Sequence, residues 1–244
     1  MFSRMSKPSA GLHHKTLCEI APLITGLILL TAASAMAYEN KVFTYNYRLT
    51  VTVRDHARLV SASNVVRVRE QSSNGAILPP RFCGEATAVR LHDGKYVFAL
   101  LGGPSRPGSS TRSYWRASPT QLLLRSLGLP RDWTWKDDSG IQQLSHPQPS
   151  VQLDLDQMPL LVTFETISDP KSIKQVDPTR PTALLGDGVS IEKVSVQPTT
   201  DRETTGRLAS ILPWLNPSQG YLDGSKWSPH GGTRYRTRQF SQCF

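Results

Sequence analysis

The sequence predicts an α+β domain, mainly antiparallel β-sheet with a few short helices, preceded by one N-terminal apolar segment. Three observations carry this expectation. Residues 42–53 alternate in polarity with the period of a strand. An Asp-Gly pair at 93–94 separates two apolar runs. The helical patterns are short, and each is bounded by proline or glycine.

In the first strand Phe43, Tyr45, Tyr47, Leu49, Val51 and Val53 form one apolar face, against Thr44, Asn46, Arg48, Thr50 and Thr52 on the other. Asp55-His56-Ala57-Arg58 is a turn, and residues 59–69 return as a second strand with Val66 and Val68 inward. Gln71 to Pro80 is a loop carrying Asn74-Gly75 and Pro79-Pro80. A second hairpin runs from Glu85 to Leu91, turns at His92-Asp93-Gly94-Lys95 and returns from Tyr96 to Leu101. Gly102 to Arg112 is a surface loop. Ser118-Pro119 opens a short helix with Leu122, Leu123, Leu124 and Leu127 on its apolar side, and Gly128 with Pro130 ends it. Asp132 to Pro149 is irregular. Met158 to Phe164 is a strand buried on both faces, and Asp177-Pro178 opens a helix that stops at Gly186. Val189 to Val196 is a strand, and Thr204 to Leu212 a third short helix before Pro213-Trp214.

Residues 1–37 read as an export leader. A net positive stretch precedes the apolar run Leu23–Ala33, and Ala35 and Ala37 supply the small side chains of a cleavage site. Eighteen mostly apolar residues, 20–37, are also enough for an uncleaved membrane anchor. Both alternatives place residues 38–222, a single β-rich domain, outside the cytoplasm, followed by a basic, mobile tail over 223–244.

The net charge of +9 falls by two, to +7, when Arg4, Lys7, Lys15 and Glu19 leave with the leader. Such a balance suits anionic surfaces or polymers without choosing among them, and export argues against a nucleic-acid partner. Cys18 lies before the apolar run, so cleavage leaves Cys83 and Cys243 as an even pair. In an oxidising compartment the two can form a disulfide, or remain unrelated thiols.

Tyr45-Asn46-Tyr47-Arg48-Leu49-Thr50-Val51, the return strand Leu59–Arg69, and the later Leu160–Phe164, Asp169-Pro170-Lys171 and Leu212-Pro213-Trp214-Leu215 carry a resemblance. Together they resemble uncharacterised proteobacterial envelope proteins that begin with a leader or anchor and continue with a Tyr-Arg-Leu-Thr-Val strand. The resemblance implies a location and no activity.

No catalytic, cofactor-binding or metal-ligating motif stands out. Ser168-Asp169-Pro170-Lys171 matches a serine–lysine spacing, but Pro170 pushes Asp169 out of helical space, which favours a loop with Asp169 bonding nearby amides. Asp154 and Asp156 share a face if 151–156 is a strand, and an amphipathic strand explains them without a cation. His56, His92, His146 and His230 are widely spaced, and His56 and His92 fall in turns. In the tail, Lys226, Trp227, His230, Arg234, Tyr235, Arg236, Arg238, Phe240 and Phe244 mix basic and aromatic groups, which suit a disordered, soluble tail or contact with an anionic membrane surface, bases or sugars.

The expected function is a non-enzymatic, exported or anchored envelope domain that contacts an envelope protein or an anionic surface. The first hairpin supplies an edge for strand addition, and residues 20–37 hold the membrane if uncleaved. One alternative is a hydrolase whose site gathers several of Asp154, Asp156, His56, His92, His146 and Glu165. Another is a basic binder of anionic polymers.

Overall fold

The computed structural model describes residues 40–73, 76–104, 119–130, 138–155, 157–215 and 240–243. These all belong to one unit, which begins at Glu39. The leader, Ala35 and Ala37, and most of the basic tail lie outside the described residues.

The fold is mostly antiparallel β-sheet with few, short helices. β1 (Val42–Asp55) and β2 (Arg58–Ser73) form a long hairpin paired from Val42↔Gln71 to Asp55↔Arg58. β3 (Ala76–Ile77) adds to the end of β2, and β4 (Arg81–Glu85) pairs with β2 over Arg67–Arg69. β5 (Thr87–Arg90) and β6 (Tyr96–Pro104) are the second hairpin. Helices α1 (Pro119–Ser126) and α2 (Ser139–Gln143) follow, then β7 (Val151–Gln152), β8 (Pro159–Phe164) and β9 (Ile173–Gln175). Helix α3 (Thr182–Leu185), β10 (Val189–Thr199), a 3-10 turn at Leu208–Ser210 and β11 (Ser241–Gln242) complete the chain.

One sheet has the order β11-β4-β2-β1-β10-β7 with β3 beside β2, and the other has the order β5-β6-β8-β9. The chain changes sheet at Ala86, between β4 and β5. Gly84, with φ +152°, lets the backbone bend there against Val65 and Val66, where a Cβ would lie 3.1 Å from the Val65 carbonyl. The Asn64 amide holds the corner by donating to the Ala86 carbonyl at 2.7 Å.

Alternation on β1 delivers Tyr45, Tyr47, Leu49, Val51 and Val53 to one core, where they meet Val66 and Val68 of β2, Val89 of β5, Val97 and Ala99 of β6, and Leu123 and Leu124 of α1. β8 is buried at every position, Thr163 included, as its apolar run Leu160–Val162 implies. Its second face, with Phe98 and Leu100 of β6, packs under Leu208, Leu212, Trp214 and Phe240. The Glu85 carboxylate ties this cover down. It is buried and accepts the backbone N–H groups of Gly206, Arg207 and Leu208 at 2.6, 2.9 and 3.2 Å, at the start of the 3-10 turn.

Several expectations need correction. Thr204–Leu212 is not a helix: only Leu208–Ser210 turns, because Thr204 is spent on the edge of β2, its N–H and hydroxyl bonding Val65 at 2.9 and 3.0 Å. The segment called irregular contains α2, whose Ile141 enters the main core. Within the loop expected over Gln71–Pro80, Gln71–Ser73 continue β2 and Ala76–Ile77 form β3. The helix expected from Asp177 begins only at Thr182, since Asp177 accepts Thr179 N–H at 2.9 Å and forms a turn. The end of the predicted tail is also docked: Phe240 is fully buried, its carbonyl accepts Ala86 N–H at 2.7 Å, and Ser241 and Gln242 pair with Glu85 and Gly84.

Two core phenols give a pH prediction. The Tyr45 hydroxyl lies 2.8 Å from Thr120 Oγ1, and that hydroxyl in turn donates to the buried Glu70 carboxylate. Burial raises the Tyr45 phenol well above its ordinary value, with the Glu70 charge adding and the Thr120 bond opposing. Burial alone raises Tyr47. In the unfolded chain both ionise near pH ~10, so above that the unfolded state holds fewer protons than the folded one. Their contribution is fully present below pH ~10. It is lost as pH rises further, at about 1.4 kcal/mol per pH unit for each phenol. Of the seven tyrosines, these two should gain tyrosinate absorbance only together with loss of β-sheet circular dichroism. Their ionisation with the sheet signal intact would contradict the burial.

Candidate functional site

The alternation that buries Val51 and Val53 places Asp55 next on the same face, at the rim of the sheet. It is a buried carboxylate, 3% exposed, at the end of an apolar stripe. The following residue, His56, starts the two-residue turn of the first hairpin in a left-handed conformation, φ +58°. Few side chains adopt this region, histidine being among the less disfavoured. Gly188, just before β10, makes room for it. The His56 N–H donates to the Gly188 carbonyl at 2.8 Å, and a Cβ on Gly188 would come within 3.2 Å of the imidazole.

The turn of the second hairpin meets this tip. His92 N–H donates to Asp55 Oδ2 at 2.6 Å, and His92 Nδ1 lies 2.7 Å from Asp55 Oδ1. His56 Nδ1 approaches the same Oδ1 at 3.1 Å. The two rings meet edge to face with centroids 4.4 Å apart, and both stay more than half exposed. Burial works against the charge on Asp55. The His92 N–H, the two imidazoles and the charge on His92 outweigh it and hold the carboxyl below its usual range. An ionised carboxylate and two imidazoles can bind a metal ion, or hold and pass a proton.

Among the residues considered for a hydrolase, the structure brings His56 and His92 together. Glu165 instead pairs with Lys174 at 3.5 Å, and His146 follows α2 as an exposed residue. β7 ends at Gln152, so the alternation invoked for Asp154 and Asp156 does not apply. Asp154 sits in an exposed turn, its carbonyl accepting Gln157 and Met158 N–H. Asp156 and His230 lie outside the described residues. At Ser168–Lys171 the Asp169 carboxylate accepts Lys171 N–H at 2.9 Å and starts a 3-10 turn, so the segment is a capped loop.

Cys83 and Cys243 form a disulfide across 160 residues of sequence. Among the described residues no helix is long and apolar enough to cross a membrane.

Sequence reasoning missed Asp55 as a partner of the two turn histidines. The available signal was its phase, a carboxylate at the seventh position of the apolar alternation that starts at Phe43. Comparison with known protein families, with curated proteins and with solved structures finds no match for this chain.

Proposed function

We propose that this chain is an exported domain of the cell envelope that acts by binding rather than by catalysing a reaction. The observation that carries the reading is the Cys83–Cys243 disulfide, which joins β4 to the end of the chain. Disulfides form and persist in oxidising compartments and are rare in the cytosol. The basic, then apolar, then small-residue leader supports the same location independently.

The edge of the first hairpin expected to take an added strand is partly covered. β1 lies between β2 and β10, and the outer edge of β2 is taken by Thr204, β4 and β3. On that outer edge, the stretch from Arg58 to Ser63 has no strand partner. Strand addition by an envelope partner would therefore use Arg58–Ser63, next to the hairpin tip.

The test is fractionation of host cells, with mass determination before and after thiol alkylation. The expected chain is found outside the cytoplasm, starting at Tyr38 or retained intact in the membrane, with Cys83 and Cys243 refractory to alkylation until reduced. Recovery from the cytoplasm with both thiols free would rule the proposal out.

A further inference from the structure

We propose that Asp55, His56 and His92 form a binding site for a borderline divalent transition-metal ion, Zn²⁺ in the first instance. Their ligand atoms lie within 4.8 Å of one another. Two imidazole nitrogens and one carboxylate oxygen are a donor set that suits zinc, copper and nickel rather than calcium or magnesium. Tetrahedral zinc with bonds of about 2.0 Å needs ligand atoms roughly 3.3 Å apart. The two nitrogens stand 2.7 and 3.1 Å from Asp55 Oδ1 and within 4.8 Å of each other, close to that spacing, and both rings are half-exposed and able to rotate.

The surroundings look built rather than incidental. Asp55 is buried and anchored by His92 N–H through its other oxygen, which leaves Oδ1 directed at both rings. His56 holds a left-handed backbone that glycine would occupy without penalty. Strain of this kind persists where the surroundings over-determine it, and it clusters at functional sites. Gly188 is bare where any side chain would press on the His56 ring. The ligands come from the tips of two hairpins, one in each sheet, so an ion would cross-link the sheets. Three protein ligands leave a fourth position facing solvent, open to water or to a donor group of an envelope partner.

The site adds to the envelope-binding reading without depending on it, since it can be tested on purified protein. Zn²⁺ titration of the full chain by calorimetry is compared with His56→Gly, His92→Ala and His146→Ala, and Co²⁺ absorption reports the ligand field. We expect one Zn²⁺ at this site, a melting temperature raised by roughly 5 °C at saturating metal, and Co²⁺ bands of nitrogen and oxygen coordination. His56→Gly and His92→Ala should each weaken binding by more than about tenfold, with His146→Ala unchanged. His56→Gly is the decisive variant. Glycine relieves the left-handed backbone at that position, which offsets the loss of the His56–Asp55 contact, so the metal-free variant should stay folded. Absence of Zn²⁺ binding by the parent, or binding of equal affinity by His56→Gly, would overturn the proposal. The second outcome would place the ion elsewhere, for example at His13-His14.

Discussion

Replacing Cys83 and Cys243 by serine is expected to lower stability by about 3–5 kcal/mol. The bond spans 160 residues, so it removes a large loop-closure entropy from the unfolded chain. It also acts on a segment with little else to hold it. β11 is two residues long and pairs only with Gly84 and Glu85. Without the bond, keeping residues 240–243 in place falls to that short ladder and to Phe240. Urea unfolding with and without reductant measures the effect. The reduced parent and the double variant should share one lowered midpoint, and a midpoint equal to that of the oxidised parent would refute the expectation.

Phe240→Ala is expected to cost about 3–5 kcal/mol even with the disulfide intact. The ring is fully buried and lies 5.9, 5.8 and 6.1 Å, centroid to centroid, from Phe98, Phe164 and Trp214. Its removal leaves a cavity at the centre of the second core, which no neighbouring side chain can fill without breaking that aromatic group. Combined with loss of the disulfide, the cost should be less than additive, because both changes undock the same segment. Thermal melts of the single and combined variants give the coupling directly. A truncation at residue 224 would remove both features together. A test of anionic-polymer binding by the tail should therefore replace Arg234, Arg236 and Arg238 by glutamine, and read retention on heparin at rising salt.

Much of the fold was legible because strands buried on one face write that burial into the chain. The alternation from Phe43 to Val53 predicted which side chains fill the core, and the largely apolar run to Phe164 predicted a strand covered on both sides. Short elements were less legible. Thr204 has the composition of a helix start, yet it completes the edge of β2. The five-residue α2 is too short to show a period. The docking of residues 240–243 was not legible because a single buried Phe240 in a basic stretch has no pattern around it.

By itself the sequence determined an antiparallel β-rich domain, its first two hairpins and the sides of their strands that face inward. Those properties are local: alternation, turn chemistry and a run of apolar residues need no knowledge of distant partners. Only the tertiary structure decided which strands share a sheet, what covers the second face of β8, that Cys83 meets Cys243, and that Asp55 gathers His56 and His92. Each of these joins residues far apart in the chain. A turn histidine has the same local sequence whether its tip faces water or a carboxylate across the fold, and only the packing of one sheet on the other brings the two tips together.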